Sequence, residues 1–184
     1  MVLVFLSLRT AVFDALCACL NLNPYSREAI ALIHEAYAEP ENAPRPPRNR
    51  NVIYWTLIQD YASDPVSTVL NAEASSRTHI PVVYTTLKYQ LIIVCYGPTC
   101  EEYAQRIRSM LYLDGSGFPR RILREAGIYP IPDPPQPVVL YEEEGSLWRK
   151  RADLTISLRV RDEQEGQTRG SITMAPAVII RKGN

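Results

Sequence analysis

The sequence predicts an α+β fold: a mostly antiparallel β-sheet covered on one side by helices, with long extended Pro-rich connections and loops. Three observations carry this. Apolar residues recur at helical spacing in the opening segment and again after Thr99. Residues 82–96 and 153–160 instead alternate with period two, as strands with one buried face do. Helices, strands, helices and strands then follow one another along the chain, the order of an antiparallel sheet with helices on one side.

The 184 residues suit one domain over 1–184, with helices in 1–38, a Pro-rich arm at 39–51, and a sheet over 52–184 carrying helices at 99–113 and 118–127. A chain of this size buries a core without metal or disulfide staples. In the opening segment Leu8, Val12, Leu16 and Cys19 or Leu20 form an amphipathic stripe. Arg9 and Asp14 interrupt the apolar run, and no basic residue precedes it, so it reads as a helix of the fold and not as an export signal or a span. A second helix is expected over 26–38, with Ser26 as its cap and Ile30, Ile33, His34 and Tyr37 on one face. Pro40, Pro44, Pro46 and Pro47 then impose a stiff extended arm bearing Arg45, Arg48 and Arg50.

Residues 52–60 form a β-branched and aromatic strand, and 60–81 a polar, irregular excursion from the core. Residues 82–96 are the strongest strand, with Leu87, Tyr89, Leu91, Ile93 and Cys95 facing inward. Ile92 and Val94 near its end are apolar as well, so its other face calls for cover there, from this chain or a neighbour. Gly97-Pro98 ends the strand. Thr99 and Glu102 have the spacing of a capping box, and Tyr103, Ile107, Met110 and Leu111 make the inward stripe of the next helix. A short helix follows, with Pro119 in its first turn and Gly127 past its end. Residues 129–137 are a polyproline-like crossing, 137–141 a short strand, and 142–145 an acidic turn. Leu154, Ile156, Leu158 and Val160 alternate inward, 162–170 make an exposed hairpin tip, and 171–181 return as a last strand with Pro176 at an edge or bulge.

Composition excludes several function classes. The formal net charge is zero, with 20 basic and 20 acidic residues, so no global field points to nucleic acid or a membrane surface. Only weak basic-aromatic patches occur, at 48–55 and 148–151. Two histidines and four cysteines lack metal-ligand spacing, so neither a metal site nor any cofactor is expected, and the thiols are expected to be reduced and buried. No phosphate-binding loop, dinucleotide fingerprint, zinc-protease motif or nucleophile elbow is present. Cys100 sits at a helix start but is followed by Glu101 and Glu102, which oppose a thiolate. No catalytic residue is assigned.

From Ala43 onward the layout resembles the neck or tail terminator (tail-completion) proteins of long-tailed bacteriophages. The resemblance rests on the amino-terminal helices, the Asn-Ala-Pro-Arg-Pro segment (Asn42 to Pro46), a strand and a long excursion. A strand ending in Tyr-Gly-Pro (Tyr96 to Pro98), a helix opening Glu-Glu-Tyr-Ala (Glu101 to Ala104) and a strand with Arg-Ala-Asp (Arg151 to Asp153) complete it. It implies a structural virion protein, not an enzyme, located at the tail–neck junction and in host cytoplasm during assembly. Such a protein forms a ring, typically a homohexamer, that stops tail tube growth and docks the neck connector. Its implied partners are copies of itself, the tube protein, the connector (stopper) protein and the sheath as a further candidate. DNA enters only as cargo passing through the lumen, and no membrane is involved.

A ring needs contacts between different faces of each subunit. Ile92 and Val94 offer one such surface. Arg45, Arg48, Arg50, Glu142, Glu143, Glu144, Trp148, Arg149, Arg151, Asp162, Glu163 and Glu165 offer charged or aromatic pieces for partner matching. Alternative readings are another connector component, such as a stopper or head-completion protein, and a small intracellular enzyme using Arg and carboxylates around residues 60–79.

Overall fold

The computed structural model describes residues 2–36, 49–60, 66–75, 78–144, 147–165 and 169–170, with side chains described for 8–36, 49–60, 85–143 and 148–161. Residues 39–48 of the expected arm, including Arg45 and Arg48, and the expected last strand at 171–181 lie outside the described residues.

Among the described residues four helices, α1 (Val2–Cys19), α2 (Arg27–Leu32), α3 (Cys100–Tyr112) and α4 (Phe118–Glu125), accompany eight strands. The strands are β1 (Ile33–Glu35), β2 (Val52–Gln59), β3 (Val66–Ser75), β4 (Thr78–Tyr96), β5 (Ile128–Pro130), β6 (Val138–Glu144), β7 (Leu147–Glu165) and β8 (Arg169–Gly170). They form one sheet in the order β1-β2-β4-β7-β5, with β3 and β8 also on β4 and β6 also on β7. Every pairing is antiparallel except β1 with β2. The predicted α+β class is the observed one.

Period-two alternation sets the two faces. Trp55, Ile93 and Leu154 are register partners across β2, β4 and β7, as are Ile53, Cys95 and Ala152. All six are buried, in one cluster with Leu8, Val12 and Leu16 of α1 and Ala104, Ile107 and Leu111 of α3. The intervening residues Tyr54, Ile92, Val94 and Asp153 occupy the opposite face, helix-free among the described residues, and are half-buried. The α1 stripe and the α3 stripe fall where the spacing puts them, and Pro119 and Gly127 bracket α4 as expected.

Several expectations are corrected. The second helix ends at Leu32; Ser26 caps it through Oγ, accepting from the Ala29 N–H at 3.1 Å, but Ile33 is already extended and begins β1. Ile33 is buried opposite Ile53, whereas Ile30 is 58% exposed, so sheet pairing overrides the helical stripe. The excursion over 60–81 is largely regular: β3 and the start of β4 pair from Val66↔Thr86 to Ser75↔Thr78. Its backbone pairs join polar and apolar residues alike, so hydrophobic alternation did not mark it. Pro81 is tolerated because the β4–β7 ladder begins one residue later, at Val82↔Glu165. The acidic turn is strand: β6 runs to Glu144, with Glu142 opposite Arg149 in register. Opposite charges across a ladder stabilise strand there. The hairpin tip is likewise shorter than expected, because β7 continues through Asp162, Glu163 and Glu165. The crossing over 129–137 begins as β5, paired to β7.

The capping box is not made either. Thr99 forms no side-chain cap; its N–H instead donates to Oδ1 of Asn51 at 3.1 Å. Arg106 and Arg108 reach out of α3, donating to the Cys19 carbonyl at 3.1 Å and the Pro135 carbonyl at 2.7 Å. They fix α3 to the end of α1 and to the proline-rich crossing.

Candidate interaction surfaces

Strand β6 lies along one edge of the sheet and carries apolar side chains on both faces. Val138, Val139 and Leu140 are exposed, and Tyr141 and Trp148 are 64% and 66% exposed. Period two puts Trp148 and Lys150 on the helix side with Ala152, and Tyr141 and Glu143 stand opposite Lys150 and Trp148 on that side. An apolar edge rimmed by charge is a surface suited to association and a hazard if left uncovered.

The face opposite the helices holds at this end a polar network crossing three strands, with ring contacts to two more. Tyr96 on β4 donates its hydroxyl to Oε2 of Glu142 on β6 at 2.9 Å, over the intervening β7. Arg151 on β7 donates to the same oxygen at 3.2 Å and to Oδ2 of Asp153 at 2.9 Å. Arg149 is 8% exposed, and its guanidinium lies 4.4 Å from the centroid of the Tyr96 ring. Tyr54 meets Tyr96 edge-on at 6.0 Å and is itself 5.8 Å from His34. Burial, and then the bond to Glu142, push the Tyr96 hydroxyl above its ordinary pKa.

Of the residues singled out from the sequence, this network joins Glu142, Arg149 and Arg151, and it spends much of their charge within the chain. Ile92 and Val94 lie on the same face. Glu143 and Trp148 stand on the other side of the ribbon. Arg50 is set apart, donating to the Ala31 carbonyl at 3.3 Å. Glu144, Asp162, Glu163 and Glu165 lie in strands, but their side chains are outside the described residues. Sequence reasoning missed Tyr54, Tyr96 and Asp153; their outward phase in β2, β4 and β7 was the available signal.

Two concave surfaces were also unforeseen. At the β1 edge, on the helix side, a cleft of about 360 Å³ is lined by Phe13, Ile30, Ile33 and Trp55, together with Arg9, His34 and Glu35. Arg9 is held by Glu35 at 3.1 Å. Trp55 is buried, and its indole N–H has no acceptor among the described residues. A second groove runs along α4, where Arg120, Arg121 and Arg124 face Tyr129 and Pro130. The Arg-Arg-x-x-Arg spacing was its sequence signal.

All four cysteines are free and buried. Burial pushes the Cys17 thiol up to about 11 and the Cys19 and Cys95 thiols up to about 12. Burial raises Cys100 too, outweighing the pull of Lys150. These are packing thiols, protonated at neutral pH. Lys150 instead reaches Glu101 at the start of α3, at 3.0 Å. Among the described residues no cluster of His, Cys, Asp or Glu could hold a metal ion, and no helix is long and apolar enough to cross a membrane.

The described residues thus form a one-sided helical layer over a mostly antiparallel sheet with an exposed apolar edge at β6. The chain matches the family described as Phage neck terminator protein over residues 7–182 and belongs to that family. It is therefore a bacteriophage structural protein of the neck and tail region, from a family that interacts with other neck and tail proteins. No curated protein matches it.

Proposed function

We propose that this protein assembles into a ring, a homohexamer, on the last layer of the phage tail tube. The ring ends tube polymerisation and presents a docking surface to the neck connector. It acts without catalysis, through contacts alone, and DNA passes through its lumen. Family membership over residues 7–182 carries this reading. The exposed apolar edge of β6 supports it, since an isolated subunit would leave that strand open to uncontrolled pairing. Ile92 and Val94 on the face opposite the helices, with the charged pieces at Arg45–Arg50, Glu142–Glu144 and Asp162–Glu165, are proposed to meet neighbouring subunits, the tube, the connector or the sheath.

Light scattering across a concentration series, with electron microscopy of mixtures with polymerising tube protein, tests this. Rings and tubes capped at one end are expected. A chain that stays monomeric at all concentrations and leaves tube growth unchanged would overturn the proposal.

A further inference from the structure

The ring reading leaves open which surfaces of adjacent subunits meet. We infer that Trp148 and Tyr141 of one copy seat in the cleft beside Trp55 of the next, as the head-to-tail contact of the ring. This rests on the ring reading and specifies its contact.

The two surfaces lie at opposite edges of one sheet, since β1 and β6 are separated by β2, β4 and β7. At strand spacing, that puts them on the order of 20 Å apart. One subunit therefore cannot satisfy its own cleft. A contact joining opposite edges is heterologous, and its repetition generates a closed ring or a filament. Both surfaces also sit in the same layer. Trp148 and Tyr141 project on the helix side, the side on which Ile33 and Trp55 line the cleft. Edge-to-edge approach thus brings aromatic knob to apolar cavity without turning a subunit over.

The chemistry is complementary. Trp148 and Tyr141 are the large, rigid, mostly exposed aromatics that act as interface anchors when a pocket desolvates them. Ile30, 58% exposed, and Phe13 supply apolar wall to receive them. Trp55 adds its buried ring to that wall, and Glu143, the cross-strand partner of Trp148, travels with the knob. Arg9 of the cleft is half exposed although paired with Glu35, and it lies where the acidic end of the next copy's β6 would arrive.

The test uses the full chain in three forms: wild type, a knob variant (W148S with Y141S) and a cleft variant (I30E). Each substituted side chain is exposed, so circular dichroism melts should match wild type. Wild type is expected to form rings, while each variant alone is monomeric, its self-association weakened at least roughly thirtyfold. Mixing the two variants should give heterodimers and nothing larger, because only one intact knob–cleft pair remains. W148F should retain rings. Rings from either variant alone, or no heterodimer on mixing, overturn this contact and leave the ring reading standing. A wild type that never associates overturns both.

Discussion

The Tyr96 hydroxyl and the Glu142 carboxylate are 2.9 Å apart although a whole strand, β7, lies between their backbones. Arg151 on that strand donates to the same oxygen and braces Asp153 with its other amino group. The carboxylate is half exposed, so the Tyr96–Glu142 bond contributes little by itself, about 0.5–1 kcal/mol at most. Arg151 is more consequential. Without it Asp153 keeps a buried Oδ1 with no partner and loses the cation on Oδ2. Arg151→Ala is expected to cost about 2–3 kcal/mol, and Glu142→Gln less than about 1 kcal/mol. Urea unfolding of the two variants checks the order; equal losses would place the stabilisation elsewhere.

Gly97 carries a second prediction. Its φ is +111°, in a region that L side chains rarely adopt, and a Cβ there would lie 2.7 Å from the Arg50 carbonyl oxygen. That close approach lets Asn51 accept the Thr99 N–H at the turn into α3. Gly97→Ala should destabilise by roughly 2–3 kcal/mol or more through strain and displaced backbone. Asn51→Ala, which orphans one turn N–H, should cost about 1 kcal/mol. Thermal melts of both variants decide; a neutral Gly97→Ala would mean the turn relaxes freely.

These two regions show what the sequence could and could not announce. The inward phases of β4 and β7, the α1 and α3 stripes and the bounds of α4 were legible, because burial writes itself into residue type at a fixed period. The β3–β4 ribbon was not, since its backbone pairs hold polar and apolar residues alike and Pro81 falls just outside the β7 ladder. Thr99 matched a capping pattern, yet Asn51, 48 residues away, took its N–H. The β6 edge was half legible: Glu142, Arg149 and Arg151 stood out as charges, while Tyr96 and Asp153, which engage them, needed the register. The cleft by Trp55 joins α1, α2, β1 and β2, a convergence no local pattern encodes.

The buried thiols give a pH dependence with a definite sign. Cys17 is raised from 9.0 to about 11, and Cys19 and Cys95 from 9.0 to about 12, chiefly by burial. A raised folded-state pKa stabilises fully below the unfolded value, and that stability is lost as pH rises through the folded value. Above about pH 9 the unfolded chain releases thiol protons that the fold retains, each costing up to about 1.4 kcal/mol per pH unit. Melting temperature should be flat from pH 7 to 8.5 and fall steadily by pH 10.5. Cys95→Ala should lower stability at pH 7.5 yet flatten the alkaline fall. A melting temperature equal at pH 8 and pH 10 would contradict the burial.

Adjacent residues on β4 separate folding from assembly. Ile93 is fully buried between Trp55 and Leu154, whereas Ile92 faces the helix-free side beside Thr56 and Thr155. Ile93→Ala removes core volume that the neighbouring strands cannot refill, and is expected to cost about 2–5 kcal/mol. Ile92→Glu empties no cavity and should shift stability by about 1 kcal/mol or less. If the helix-free face meets the tube or connector, that charge should leave subunit folding and ring formation intact while sharply weakening tube capping, since an unpaired carboxylate would be desolvated at the contact. Sedimentation with preformed tubes measures this directly. Undiminished capping by the Ile92→Glu ring would place the axial contact on another surface.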